Sequence, residues 1–157
     1  YVWPAYVSSG TIQKNNALGP VSSDANARVT VQGPTQLVFI SSQLTLDFTY
    51  TCTTASTFDV VVQINRYRGS VDSGQAGAVD YLFEYDATIS EQSHSYSSTS
   101  SGSASAGQNI FTTVLDQPSF GYYWYIAEVV FTSKTGDAEP GTFTVGLRSL
   151  TAQVIKQ

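Results

Sequence analysis

Leu44-Thr45-Leu46-Asp47-Phe48-Thr49-Tyr50-Thr51-Cys52 alternates apolar and polar residues without a break. Successive side chains of a β-strand point to opposite faces, so a period of two describes a ribbon with one face in a core and one in water. The pattern recurs outward from this stretch. Phe58, Val60, Val62 and Ile64 follow it, as do Val79, Tyr81, Phe83, Tyr85 and Ala87 against Asp80, Glu84 and Asp86. Tyr123, Tyr125, Ala127, Val129 and Phe131 form a further series. Phe143, Val145 and Leu147 open the last one, whose phase then switches to Leu150, Ala152 and Val154. A β-bulge near Arg148–Ser149 would produce that switch. No long stretch carries a helical period. Gly19-Pro20, Gly33-Pro34, Ser73-Gly74, Gly136-Asp137 and Pro140-Gly141 punctuate the runs as turns do. The spacing predicts an all-β, single-domain jelly roll or β-sandwich over residues 17–157, preceded by an N-terminal arm over residues 1–16.

With 157 residues, 41% of them apolar, the chain can bury a continuous core without metals or disulfides. Its polarity comes from Ser, Thr, Gln and Tyr; charged residues make up 12%, about half the usual share. Seven Lys and Arg against twelve Asp and Glu leave a net charge of −5 and no basic cluster, which argues against nucleic acid and anionic membranes as partners. No apolar run is long enough for a membrane-spanning helix. The lone Cys52 falls on the apolar side of its strand and reads as a buried core thiol. A chain that starts at Tyr1 and has no Met reads as processed; a removed signal peptide or simple trimming would each leave it so. The expected location is extracellular, at the cell surface.

Two segments stand apart. Ser93 to Gln108 reads SHSYSSTSSGSASAGQ, a Ser/Gly/Ala-rich stretch expected to be a surface loop. Tyr1-Val2-Trp3-Pro4-Ala5-Tyr6-Val7 is aromatic and β-prone, whereas domain termini are usually polar and frayed. Either it forms the first strand of its own sandwich, or it is donated to another subunit by strand addition, with Lys14 to Ala17 as the hinge. Val2, Trp3, Pro4, Tyr6, Val7 and Ile12 are the contact residues of such a donor arm. Pro4 lacks an amide hydrogen and favours an edge or a bulge.

Residues that could carry chemistry are few. His94, the single histidine, lies in the Ser-rich stretch with no triad motif around it. One Cys and one His cannot supply an ordinary zinc site. Asp80, Glu84, Asp86, Asp116 and Glu128 are the carboxylates from which a glycosidase pair could be drawn. Asp80, Glu84 and Asp86 share one strand face; a solvated face, a calcium site or a catalytic pair are the readings of that stripe. Asp137 and Glu139 read as turn residues. Of the aromatic cluster Phe120 to Tyr125, Tyr122 and Trp124 fall on the face opposite Tyr123 and Tyr125. That face is either packed, a sugar platform, or a lateral contact between protein subunits. No catalytic residue and no cofactor is expected.

Together these features resemble a known family. A β-prone arm precedes a Ser/Thr-rich sandwich. An aromatic strand, Tyr122 to Phe131, leads through Lys134 to Gly141 into a final strand, Thr142 to Leu147, that ends in Thr151-Ala152-Gln153. This pattern is similar to the TasA/camelysin biofilm-matrix fibre proteins, and within them to the archaeal bundling pilins. It covers roughly residues 36–67 and 120–153. The resemblance implies a jelly roll that polymerises head to tail by lending its N-terminal strand to the next subunit, with lateral bundling of the filaments, in cell–cell adhesion and biofilm formation. The other readings are a closed jelly-roll oligomer, such as a trimeric head or a capsid-like shell, and a carbohydrate-binding adhesin module.

Overall fold

The computed structural model describes residues 9–11, 17–20, 26–71, 81–98 and 101–156. Over these the chain forms β1 (Ser9–Thr11), β2 (Ala17–Pro20), β3 (Asn26–Val31), β4 (Gln36–Cys52), β5 (Ser56–Val71), β6 (Tyr81–Ser98), β7 (Gly102–Asp116), β8 (Gly121–Thr135) and β9 (Glu139–Lys156). All pairings are antiparallel. One sheet has the order β1-β9-β4-β7 and the other β2-β8-β5-β6, with β3 following β2 along the same edge of β8. With β2 and β3 taken as one interrupted strand, the chain crosses from sheet to sheet at every connection except β5–β6. That is the strand order of a jelly roll.

The alternation read from the sequence sets the core. Leu44, Leu46, Phe48, Tyr50 and Cys52 of β4 face Phe58, Val60, Val62 and Ile64 of β5 and Tyr123, Tyr125, Ala127 and Val129 of β8, all buried in one cluster. Phe58 meets Phe48 and Tyr50 edge to face, with ring centroids 4.8 Å apart for Tyr50 and Phe58 and 6.1 Å for Phe48 and Phe58, the arrangement favoured by aromatic quadrupoles. The phase switch in β9 is a register shift opposite Leu44–Leu46, between Val145 and Arg148, and a second shift lies opposite Phe48–Tyr50.

Two expectations need correction. Ser93–Ser98 and Gly102–Gln108 are not a loop: they supply the end of β6 and the start of β7, paired with β5 and β4 from Ser56↔Ser98 and Cys52↔Gly102 onward, while Thr99 and Ser100 lie outside the described residues. Both are edge strands, where one ladder of backbone hydrogen bonds is enough and small polar side chains can face water. The apolar anchor inside the stretch is Tyr96, whose ring lies 5.0 Å from Phe48 and 5.4 Å from Phe58. Nor does Tyr85 face the core; it is 58% exposed. Register shifts opposite Ile64–Asn65 and Arg66–Tyr67 each reverse the phase of β6, so an alternation read straight through Ala87 misplaces its N-terminal part. Val79 lies outside the described residues.

The β8–β9 turn locks onto the β4–β5 turn. Gly136 adopts φ +76°, and a Cβ there would overlap the Ser56 hydroxyl and the Ala55 carbonyl. This close approach lets Asp137 accept from the backbone N–H of Thr53 at 3.1 Å and of Thr54 at 3.0 Å, and from both threonine hydroxyls. Donation by the Thr53 hydroxyl and then the Thr54 backbone holds the Asp137 carboxyl well below the usual range. A depressed carboxyl stabilises the fold above its unfolded pKa of about 3.9, and the contribution fades as pH falls towards the folded value. Asp137→Asn is therefore expected to lower the melting temperature at pH 7, with the gap to wild type closing below about pH 4. Melting curves across pH check this; a gap that persists in acid would assign the loss to something other than the carboxylate.

Candidate functional site

At one end of the sandwich a charge cluster links the sheets. Arg66 of β5 points inward and donates from Nη1 to both Asp116 oxygens at 2.7 and 2.8 Å, and from Nε to Asp86 at 2.7 Å. The guanidinium also lies over the Tyr123 ring, 5.3 Å from its centroid. Tyr125 donates its hydroxyl to Asp116 at 2.7 Å. Burial, then the Asp116 carboxylate, pushes the Tyr125 phenol far above the tyrosine range, so it stays a donor. Burial works against the Arg66 charge, and the two carboxylates outweigh it, leaving its pKa raised. Asp116 and Asp86 thus share one guanidinium and do not flank an open space as a glycosidase pair must.

The outward face of the β2-β8-β5-β6 sheet is unusually covered. Trp124 and Ile126 are buried there, and the Tyr67 ring lies 6.1 Å from Trp124. Beside them Glu128, also buried, accepts from Asn65 Nδ2 and from the Tyr67 hydroxyl, both at 2.7 Å, and Thr88 donates to Asn65 Oδ1. Further along, Asp59 binds Lys134 at 2.6 Å and accepts from Ser93 and Ser95. Lys134 first, then Ser95, lowers its pKa against the opposing effect of burial. In these networks each carboxylate is held by the side chains that donate to it.

The nominated residues divide as follows. Val2, Trp3, Pro4, Tyr6, Val7 and Ile12 lie outside the described residues, although Ser9–Thr11 between them pairs with Thr142–Thr144 of the same chain. The lateral-contact reading is corrected at Trp124, which is buried, while Tyr122 on the same face is half-buried. Asp86 is claimed by Arg66, Glu84 sits opposite Arg68, and Asp80 lies outside the described residues. Among the described residues no three His, Cys, Asp or Glu side chains are grouped to hold a metal. Arg68, Gly69, Glu84, Tyr85 and Asp86 line an open cleft of about 210 Å³. His94 sits on β6, half-buried, with Nδ1 2.9 Å from Gln108 Nε2 and a buried Nε2 that has no hydrogen-bond partner. Cys52 is buried, as its parity requires.

The other sheet carries an apolar patch on its outward face. Phe39, Phe111, Leu115 and Ile155 project from the outward face of the β1-β9-β4-β7 sheet with 38 to 64% of their surface exposed. The signal was present as apolar residues at both parities of one strand, in Val38-Phe39-Ile40 and in Ile110-Phe111 and Val114-Leu115. Compared with known proteins, the chain matches no family model and is significantly similar to no curated protein.

Proposed function

We propose that this chain is a non-enzymatic structural subunit of an extracellular filament, and that it polymerises head to tail by passing its N-terminal strand to the next copy. The observation that carries the reading is the outer edge of β9. This strand runs for 18 residues, and among the described residues only Ser9–Thr11 pairs with its outer side. An unpaired edge is a template for another strand. The register of β1, continued towards the N-terminus, would lay an arm along β9 beyond Thr144, and in the polymer that arm comes from a neighbour. A head-to-tail exchange does not close on itself, so it grows into a fibre. Burying Val2, Trp3, Tyr6, Val7 and Ile12 at about 25 cal/mol per Å² supplies on the order of 10 kcal/mol before ordering costs. The similarity in pattern to the TasA/camelysin fibre proteins and the charge-poor, hydroxyl-rich composition point the same way, towards cell–cell adhesion and biofilm matrix.

Electron microscopy of the purified chain with and without residues 1–12 is the test. Fibres are expected from the whole chain and soluble single subunits from the truncated one. Fibres from both would remove the arm from the mechanism. Discrete particles from both would favour a closed jelly-roll oligomer, a state that the same strand order also serves.

A further inference from the structure

We infer that the outward face of the β1-β9-β4-β7 sheet is a contact for a second copy of this chain, packed face to face about a twofold axis. Across this face β4 runs between β9 and β7. Leu37 lies opposite Ile155, Phe39 opposite Leu115, and Gln43 opposite Phe111. From the Leu37 rung to the Thr45 rung the outward positions of β4 and β7, and those of β9 from Ile155 to Ser149, are uncharged, although the whole chain carries a net charge of −5. Copies of so acidic a chain repel one another through most of their surface, and this face is where that repulsion is least. A charged partner would bury an unpaired charge against phenylalanine and leucine, which is costly. An identical neutral face meets no such penalty.

The layout is also self-complementary. Large side chains occupy the Phe39–Leu115 rung and the Phe111 rung, and the Ser41–Thr113 rung between them is small. A twofold axis running across the strands at the Ser41 rung brings Leu115 of each copy onto Phe111 of the other, and Phe39 onto Gln43, the reciprocal pairing of an isologous contact. Sheets stacked in this way pack about 10 Å apart. Five rungs on three strands cover on the order of 400 Å², from a rise of about 3.4 Å per residue and a spacing of about 4.8 Å between strands. A stable interface needs about 800 Å² per partner, so isolated copies should pair weakly and copies linked in an array should pair firmly.

Sedimentation velocity of the whole chain, cleared of fibres by centrifugation and followed at concentrations up to about 1 mM for a discrete species of twice the subunit mass, tests the contact with two variants, Phe111→Glu and Leu115→Lys. The wild type should show a mass increase that depends on concentration. Each variant alone should weaken pairing by about tenfold or more, because a charge faces an apolar partner. Their mixture should recover it, since Glu at position 111 of one copy meets Lys at position 115 of the other and the second reciprocal pair stays apolar. No increase for the wild type, or equal pairing by the single variants, would overturn the inference. So would pairing that emerges only when residues 1–8 are deleted, because the chain's own arm would then be the occupant. Both substitutions leave the arm intact, so fibre growth by strand exchange should persist in them; its failure in the wild type would count against the proposed function and not against this contact.

Discussion

Asp116→Ala is expected to destabilise the fold by about 3 kcal/mol, among the largest effects of any polar substitution in the chain. The reason is what the carboxylate leaves behind. Arg66 is 15% exposed at its side chain and Asp116 is 10% exposed, so the guanidinium cannot turn to water when its bidentate partner is removed. Asp86, itself 32% exposed, would remain as the sole acceptor for that charge. The Tyr125 hydroxyl, whose ring is fully buried, would lose the oxygen it donates to at 2.7 Å. An unpaired buried donor costs about 1–3 kcal/mol by itself. A second measurement separates this from mere loss of packing. Arg66→Met combined with Asp116→Leu removes both charges together, and the double variant should be markedly more stable than Asp116→Ala. Chemical denaturation of the three proteins decides it. If the double variant is the less stable, the pair itself, and not the orphaned guanidinium, holds that end of the sandwich together.

The strands that meet in the core were legible in the sequence because burial on one face imposes a period of two, and β4, β5 and β8 keep that period over long runs. Legibility fails where a residue's role is set across the chain. Arg66 continues the inward parity of Phe58 to Ile64, and parity alone gives no reason for a charge there; only the position of Asp116 on the other sheet explains it. The Ser-rich stretch reads as a loop because edge strands need no apolar residues of their own when β4 and β5 supply the ladder. Asp137 reads as a turn residue; its five donors sit more than eighty positions upstream in sequence, on a turn brought close by the fold. The apolar patch on the outer face was written as apolar residues at both parities, a pattern that parity alone cannot assign to a second core or to a contact.

Trp124→Ala is expected to lower stability by about 3–5 kcal/mol, the range for removing a buried aromatic. At about 2–4 °C per kcal/mol for a chain of this size, melting should fall by roughly 10 °C. Only 1% of Trp124 is exposed, and its ring meets Tyr67 on one side and the Arg28 guanidinium, 5.4 Å from the ring centroid, on another. Removing the indole would strip Tyr67 of a packing partner and so loosen the hydroxyl that Glu128 accepts from. Trp124→Phe should recover most of the loss, since a ring keeps much of the buried area. Tyr122→Ala on the same strand face, where the side chain is only half-buried, should cost about 1 kcal/mol. The contrast decides between a packing role and a contact role for this face. A side chain reserved for neighbouring subunits would leave the melting of a dilute single subunit unchanged and alter assembly alone. If Trp124→Ala melts with the wild type, the indole is not part of the fold and the outward face of β8 returns as a surface for partners. A large drop in dilute solution ties it to the subunit's own stability and leaves the opposite sheet, with Phe111 and Leu115, as the apolar face open to another copy.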